Sequence, residues 1–94
     1  MADITLISGA DPADYTAANG SSITILNSVH DANGDAAATT LSCDSGLFTP
    51  VNNFPMAFAA GEEKTVRIGT SGKDYYYNDP STPAQGTRSG RINP

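Results

Sequence analysis

Apolar side chains recur at every second position in several short runs of this chain, and helical spacing is almost absent. The clearest stretch is residues 59–78, AAGEEKTVRIGTSGKDYYYN. A turn at Gly61 leads into a segment where Val66 and Ile68 point one way and Thr65 and Arg67 the other. Side chains of a strand alternate faces, so this is a half-buried strand. The turn 69–72, with a glycine at each end, then returns the chain into Tyr75, Tyr76 and Tyr77, which predicts a β-hairpin. Tyrosine suits a pleated surface, because its ring packs while its phenol reaches water. Tyr76 faces opposite to Tyr75 and Tyr77.

Residues 3–8 give a first strand, and residues 9–20 a loop punctuated by Asp-Pro and Asn-Gly. Residues 21–30 form the best single strand, with Ile23, Ile25 and Val29 on one face. The Asn-Gly of 31–35 favours a hairpin turn, from which 36–43 pairs back with Thr39, Leu41 and Cys43 on one face. Residues 51–60 are apolar but broken by Pro55, hence an edge strand or a covering loop. Only 11–18 has any helical character, and its proline weakens it. About seven short strands predict an all-β chain, a small antiparallel β-sandwich. The division expected is a sandwich domain over 1–80 and a C-terminal arm or last strand over 81–94. As an arm, that segment would order on a partner, and a chain ending at Pro80 would fold but fail to assemble.

Ninety-four residues allow one domain. The single cysteine excludes an internal disulfide, a cysteine-based zinc site and an iron–sulfur cluster. No apolar run approaches the roughly 18 residues of a membrane helix, and no charged-then-apolar leader opens the sequence. A net charge of −5 argues against nucleic acid as partner. Residues 1–63 hold eight acids and no Lys or Arg, whereas 64–94 hold five bases and two acids. An acidic body and a basic C-terminal portion can associate between copies.

The run AAGEEKTVRIGTSGKDYYYNDP, continued by GTRSGRI, resembles the C-terminal half of small cupredoxins. Immunoglobulin-like bacterial and phage sandwiches share its Ala-Gly-Glu, Val-x-Ile strand entry. The resemblance covers the last third and implies a β-sandwich fold. In cupredoxins copper is held by His, Cys, His and often Met. Here the nearest positions are Met56, Asn78, Ser81 and Thr87, and Cys43 lies far upstream. A type 1 copper site needs two histidines and a cysteine, so its redox chemistry does not carry over.

Other candidate chemistry gives way to simpler readings. Asp31, Asn33 and Asp35, beside His30, match the first half of a calcium loop, but Ala36 and Ser42 stand where it needs Gly and Glu. A polar turn explains each residue. A hydrolase would have His30 as its only base, without a Gly-x-Ser-x-Gly elbow, and Cys43 by parity lies in the core. Gly69 to Lys73 mimics part of a phosphate loop but runs into a strand. Glu62 and Glu63 face opposite ways and cannot share acid–base work. Asn19-Gly20-Ser21 is a short glycosylation sequon of the kind that arises by chance.

The expectation is a non-enzymatic structural or interaction protein without cofactor or metal, most concretely a small virion protein such as a phage capsid decoration (cement) protein. Its partners would be itself or a capsid lattice, and its contact residues Tyr75, Tyr76, Tyr77, Arg88 and Arg91. The alternative is an exported module, secreted or periplasmic, that binds carbohydrate or another small ligand through its tyrosine strand.

Overall fold

The computed structural model describes residues 2–82, 84 and 86–94. Nine strands form in order: β1 (Ile4–Leu6), β2 (Tyr15–Thr16), β3 (Ser22–Asn27), β4 (Thr39–Cys43), β5 (Phe48–Thr49), β6 (Met56–Phe58), β7 (Glu63–Ile68), β8 (Lys73–Asn78) and β9 (Thr87–Asn93). A single 3-10 turn, Val51–Asn53, precedes β6. The strands make a four-stranded sheet, β1-β3-β7-β5, and a five-stranded sheet, β2-β9-β8-β4-β6. The chain is a small all-β sandwich. Pairing is antiparallel except where β1 meets β3 and β2 meets β9.

Alternation places the core between the sheets. Ile23, Ile25, Val66 and Ile68 enter it from one side, and Leu41, Phe58, Tyr75, Tyr77 and Ile92 from the other. Phe48 sits between Phe54 and Tyr75, with ring centroids 5.4 and 6.0 Å away. Each fully buried side chain of this size contributes roughly 1.5–3 kcal/mol by leaving water.

The expected hairpin over 59–78 is not formed. β7 and β8 lie in different sheets, so residues 69–72 arch across the core instead of folding β8 back beside β7. Partners elsewhere take the hydrogen bonds a hairpin turn would close on itself. Gly69 N donates to Leu47 O at 2.7 Å, Gly20 N to Ile68 O at 2.7 Å, and Ser71 N to Asn19 Oδ1 at 2.7 Å. Gly69 is also the only residue type that fits, because a Cβ there would overlap the Gly46 carbonyl. The link from β3 to β4 behaves likewise. It closes a local bridge between His30 and Ala36, after which β4 joins the opposite sheet.

Of the two forms expected for the C-terminal segment, arm or last strand, residues Thr87–Asn93 take the second, as β9. β9 lies between β2 and β8, and Ile92 is fully buried. Its Gly90 stands opposite Tyr75, where a Cβ would overlap the tyrosine ring. The glycine lets the ring lie flat on the neighbouring strand. A chain ending at Pro80 would lose β9, which is flanked on both sides. Residues 15–16, expected as loop, pair with the end of β9 as β2.

The two buried tyrosines end differently. Tyr77 Oη donates to Ile7 O at 2.6 Å and accepts from Ile7 N at 3.1 Å, clasping the end of β1 to the opposite sheet. Its burial pushes the phenol up to about 12. Tyr75 Oη is buried with no hydrogen-bond partner among the described residues. Losing a satisfied buried group strands its partner, whereas losing an unsatisfied one relieves a desolvation cost. Tyr77→Phe is therefore expected to destabilise the fold by about 1–3 kcal/mol, and Tyr75→Phe to leave it equal or more stable. Thermal melts of the two variants check this, and equal losses would contradict it.

Candidate interaction surface

Strand parity and register together decide what the five-stranded sheet shows to solvent. Tyr75 and Tyr77 point inward, so Tyr76 alone of the three faces out, half-buried. Ser42 of β4 is its neighbour on one side and Ser89 of β9 on the other. The next row toward the end of β8 pairs Thr40, Asn78 and Thr87, and the row on the other side holds Asp74 and Arg91. A hollow of about 310 Å³ lies beside the tyrosine, lined by Thr40, Ser42, Pro55, Tyr76, Tyr77, Asn78 and Thr87.

Tyr76 is held in place by its hydroxyl, which donates to Asp44 Oδ1 at 2.7 Å. The other oxygen of Asp44 accepts from Asp74 N at 3.0 Å. These bonds, the backbone one first, hold the Asp44 carboxyl below its ordinary range, and the same carboxylate raises the Tyr76 phenol. Arg91 Nη1 donates to Asp74 Oδ1 at 3.0 Å and Nη2 to Gly72 O at 2.7 Å. Arg91 is thus engaged within its own chain, and Asp44 leaves the face with a net negative charge.

Arg88 is engaged in the same way. Arg88 is 6% exposed, and its Nε donates to Asp79 Oδ2 at 3.1 Å. Asp79 is itself buried and accepts from Gly9 N at 2.8 Å, Ser81 N at 3.0 Å, Ser81 Oγ at 2.7 Å and Thr82 Oγ1 at 3.3 Å. Burial alone would raise this carboxyl, but the donors around it outweigh that and hold it far below the usual range. Of the five residues expected to make contacts, Tyr75, Tyr77 and Arg88 are therefore interior, and Tyr76 and Arg91 lie at the surface.

A second hollow opens at the far end of the sandwich, where the 3-10 turn spans the gap between the sheets. It has a volume of about 310 Å³ and is lined by residues 42–46, Phe48, Val51, Phe54 and Pro55. Val51 is 55% exposed at its lip, and Phe48 forms its floor. Cys43 lines it too, its thiol raised mainly by burial. The pattern of 51–60 marked an edge or cover, and the single signal for a cleft was an apolar residue set against a proline. The other candidates serve as structure. Asp31 Oδ1 accepts from Asn33 N at 2.8 Å and Asp35 N at 3.0 Å, bracing the turn, and Asn19 is bound to Ser71.

No protein-family model matches the chain, and no curated protein matches it either.

The buried pair carries a pH signature. A carboxyl whose folded pKa is depressed adds stability above the unfolded value, near 3.9, and loses it as pH falls toward the folded one. Asp79→Asn leaves the buried Arg88 only a longer ionic contact with the exposed Asp11, at 3.9 Å, an expected cost of about 3–5 kcal/mol at pH 7. Denaturant melts of both proteins should show that gap narrowing only below about pH 4. A gap that is absent at pH 7, or constant down to pH 2, would contradict the assignment.

Proposed function

We propose that this chain is a non-enzymatic structural protein that works by protein–protein contact. Most concretely it is a small virion protein of the kind that decorates a capsid lattice. The observation that supports this reading is the exposed Val51 at the lip of the cleft floored by Phe48. A branched aliphatic beside an open apolar hollow is a socket-and-lip arrangement, which a partner's apolar side chain fills and which covers Val51 in doing so. The partner surface that fits also carries basic groups, because Asp44 lines the cleft and residues 1–63 hold eight acids and no Lys or Arg.

The internal pairing of Arg88 and Arg91 changes the form of the contact. Association between an acidic body and a basic tail would weaken with salt. With both arginines engaged inside their own chain, apolar burial at the cleft carries the contact, and association persists in salt. Light scattering at rising protein concentration should show species larger than a monomer at both low and high salt. Val51→Asp should remove them without lowering the melting temperature. A monomer under every condition, or assemblies indifferent to Val51→Asp, would overturn the reading.

A further inference from the structure

We infer that the outer face of the five-stranded sheet, centred on Tyr76, is a binding site for a neutral pyranose unit of a glycan. A pyranose has an apolar face of C–H groups and a rim of hydroxyls. It is recognised by a bare aromatic ring surrounded by short hydrogen-bonding side chains.

Tyr76 supplies the ring, part of which stays exposed on the outer face of the sheet. Its cross-strand neighbours are Ser42 and Ser89, too short to cover the ring. Its hydroxyl is bound to Asp44 at 2.7 Å, so the ring is fixed before any ligand arrives and little side-chain freedom is lost on binding. The hollow beside it supplies the rim, with Thr40, Ser42, Asn78 and Thr87 along its wall.

The hydroxyls of Thr40, Ser42, Thr87 and Ser89 make no hydrogen bond among the described residues and are free to meet a ligand. Asn78 has its Oδ1 occupied by Thr39 Oγ1 at 2.8 Å and Thr40 N at 3.2 Å. Its Nδ2 makes no hydrogen bond among the described residues, which leaves an oriented donor pair at the hollow. Donors and acceptors for ring hydroxyls therefore stand together beside one fixed aromatic.

The charge pattern selects a neutral ligand. Arg91 is held by Asp74 and Gly72, and Asp44 keeps its negative charge, bound only by the Tyr76 hydroxyl and the Asp74 amide, so the face offers no free cation to an anionic sugar. The chain's net charge of −5 disfavours one further. The site does not depend on the contact at Val51, and it serves a virion protein or an exported one equally.

Affinity gel electrophoresis against soluble xylan, mixed-linkage β-glucan, galactomannan, glycol chitin and the acidic polygalacturonate tests this with the full chain. At least one of the neutral polymers should retard the protein, and polygalacturonate should not. For the retarding polymer, titration of its oligosaccharide should move the amide resonances of Ser42, Tyr76 and Ser89. Tyr76→Ala should weaken binding at least about tenfold, Tyr76→Phe should retain it, and Thr87→Val should lower it with the fold intact. Retardation by none of the neutral polymers would overturn the proposal. So would binding that survives Tyr76→Ala, shifts confined to other surfaces, or retardation by polygalacturonate alone.

Discussion

A carboxylate removed from water has to find its hydrogen bonds inside the protein, and the buried Asp79 imposes that requirement on this fold. Its oxygens accept from a backbone amide in the first loop, from two residues of the turn after β8, and from Arg88 on β9. One side chain thus joins the start of the chain to its last strand. Beside it, Tyr77 clasps Ile7, and Asn27 bridges Ala37 O and Ala59 O at 2.9 and 3.0 Å. All lie at the same end of the sandwich, where buried polar groups substitute for apolar volume that 94 residues cannot supply. Each is satisfied, so the network fixes one arrangement of the two sheets.

The opposite end is organised otherwise. There the chain crosses between the sheets over glycine, and the 3-10 turn leaves a cleft with Val51 at its lip. Fixing one end with buried hydrogen bonds frees the other to present apolar surface. The outer face of the larger sheet is separate again, because Tyr76 borrows its rigidity from Asp44 and Asp74. Contact at the cleft centres on Val51 and recognition on the sheet face on Tyr76, and the two hollows share Ser42 and Pro55.

Much of this was legible in the chain. Period-two alternation placed Ile23, Ile25, Val29, Val66 and Ile68 in the core and set Tyr76 apart from its neighbours. Alternation says which way a residue points but not which strand lies beside it. A hairpin and an arch present the same pattern, so β7 and β8 were expected as partners. The last strand was expected only as an alternative to an arm, for another reason. Counted by apolar residues it has only Ile92, yet Gly90 makes room for Tyr75 and Arg88 is buried through Asp79. Its value to the core lies in residues that composition scores as loop. The sheet-face site was half visible: parity exposed Tyr76, but Ser42, Thr40 and Thr87 become its neighbours only through register.

Native-state hydrogen exchange at Gly9 and Ile7 tests the central claim most directly. Neither amide lies in a strand, and each donates to one side chain, Asp79 or Tyr77. If those side chains tie the first loop into the fold, both amides exchange as slowly as those of β3 and β7, through global unfolding. Exchange as fast as the exposed 31–35 turn, with β3 and β7 still protected, would contradict it.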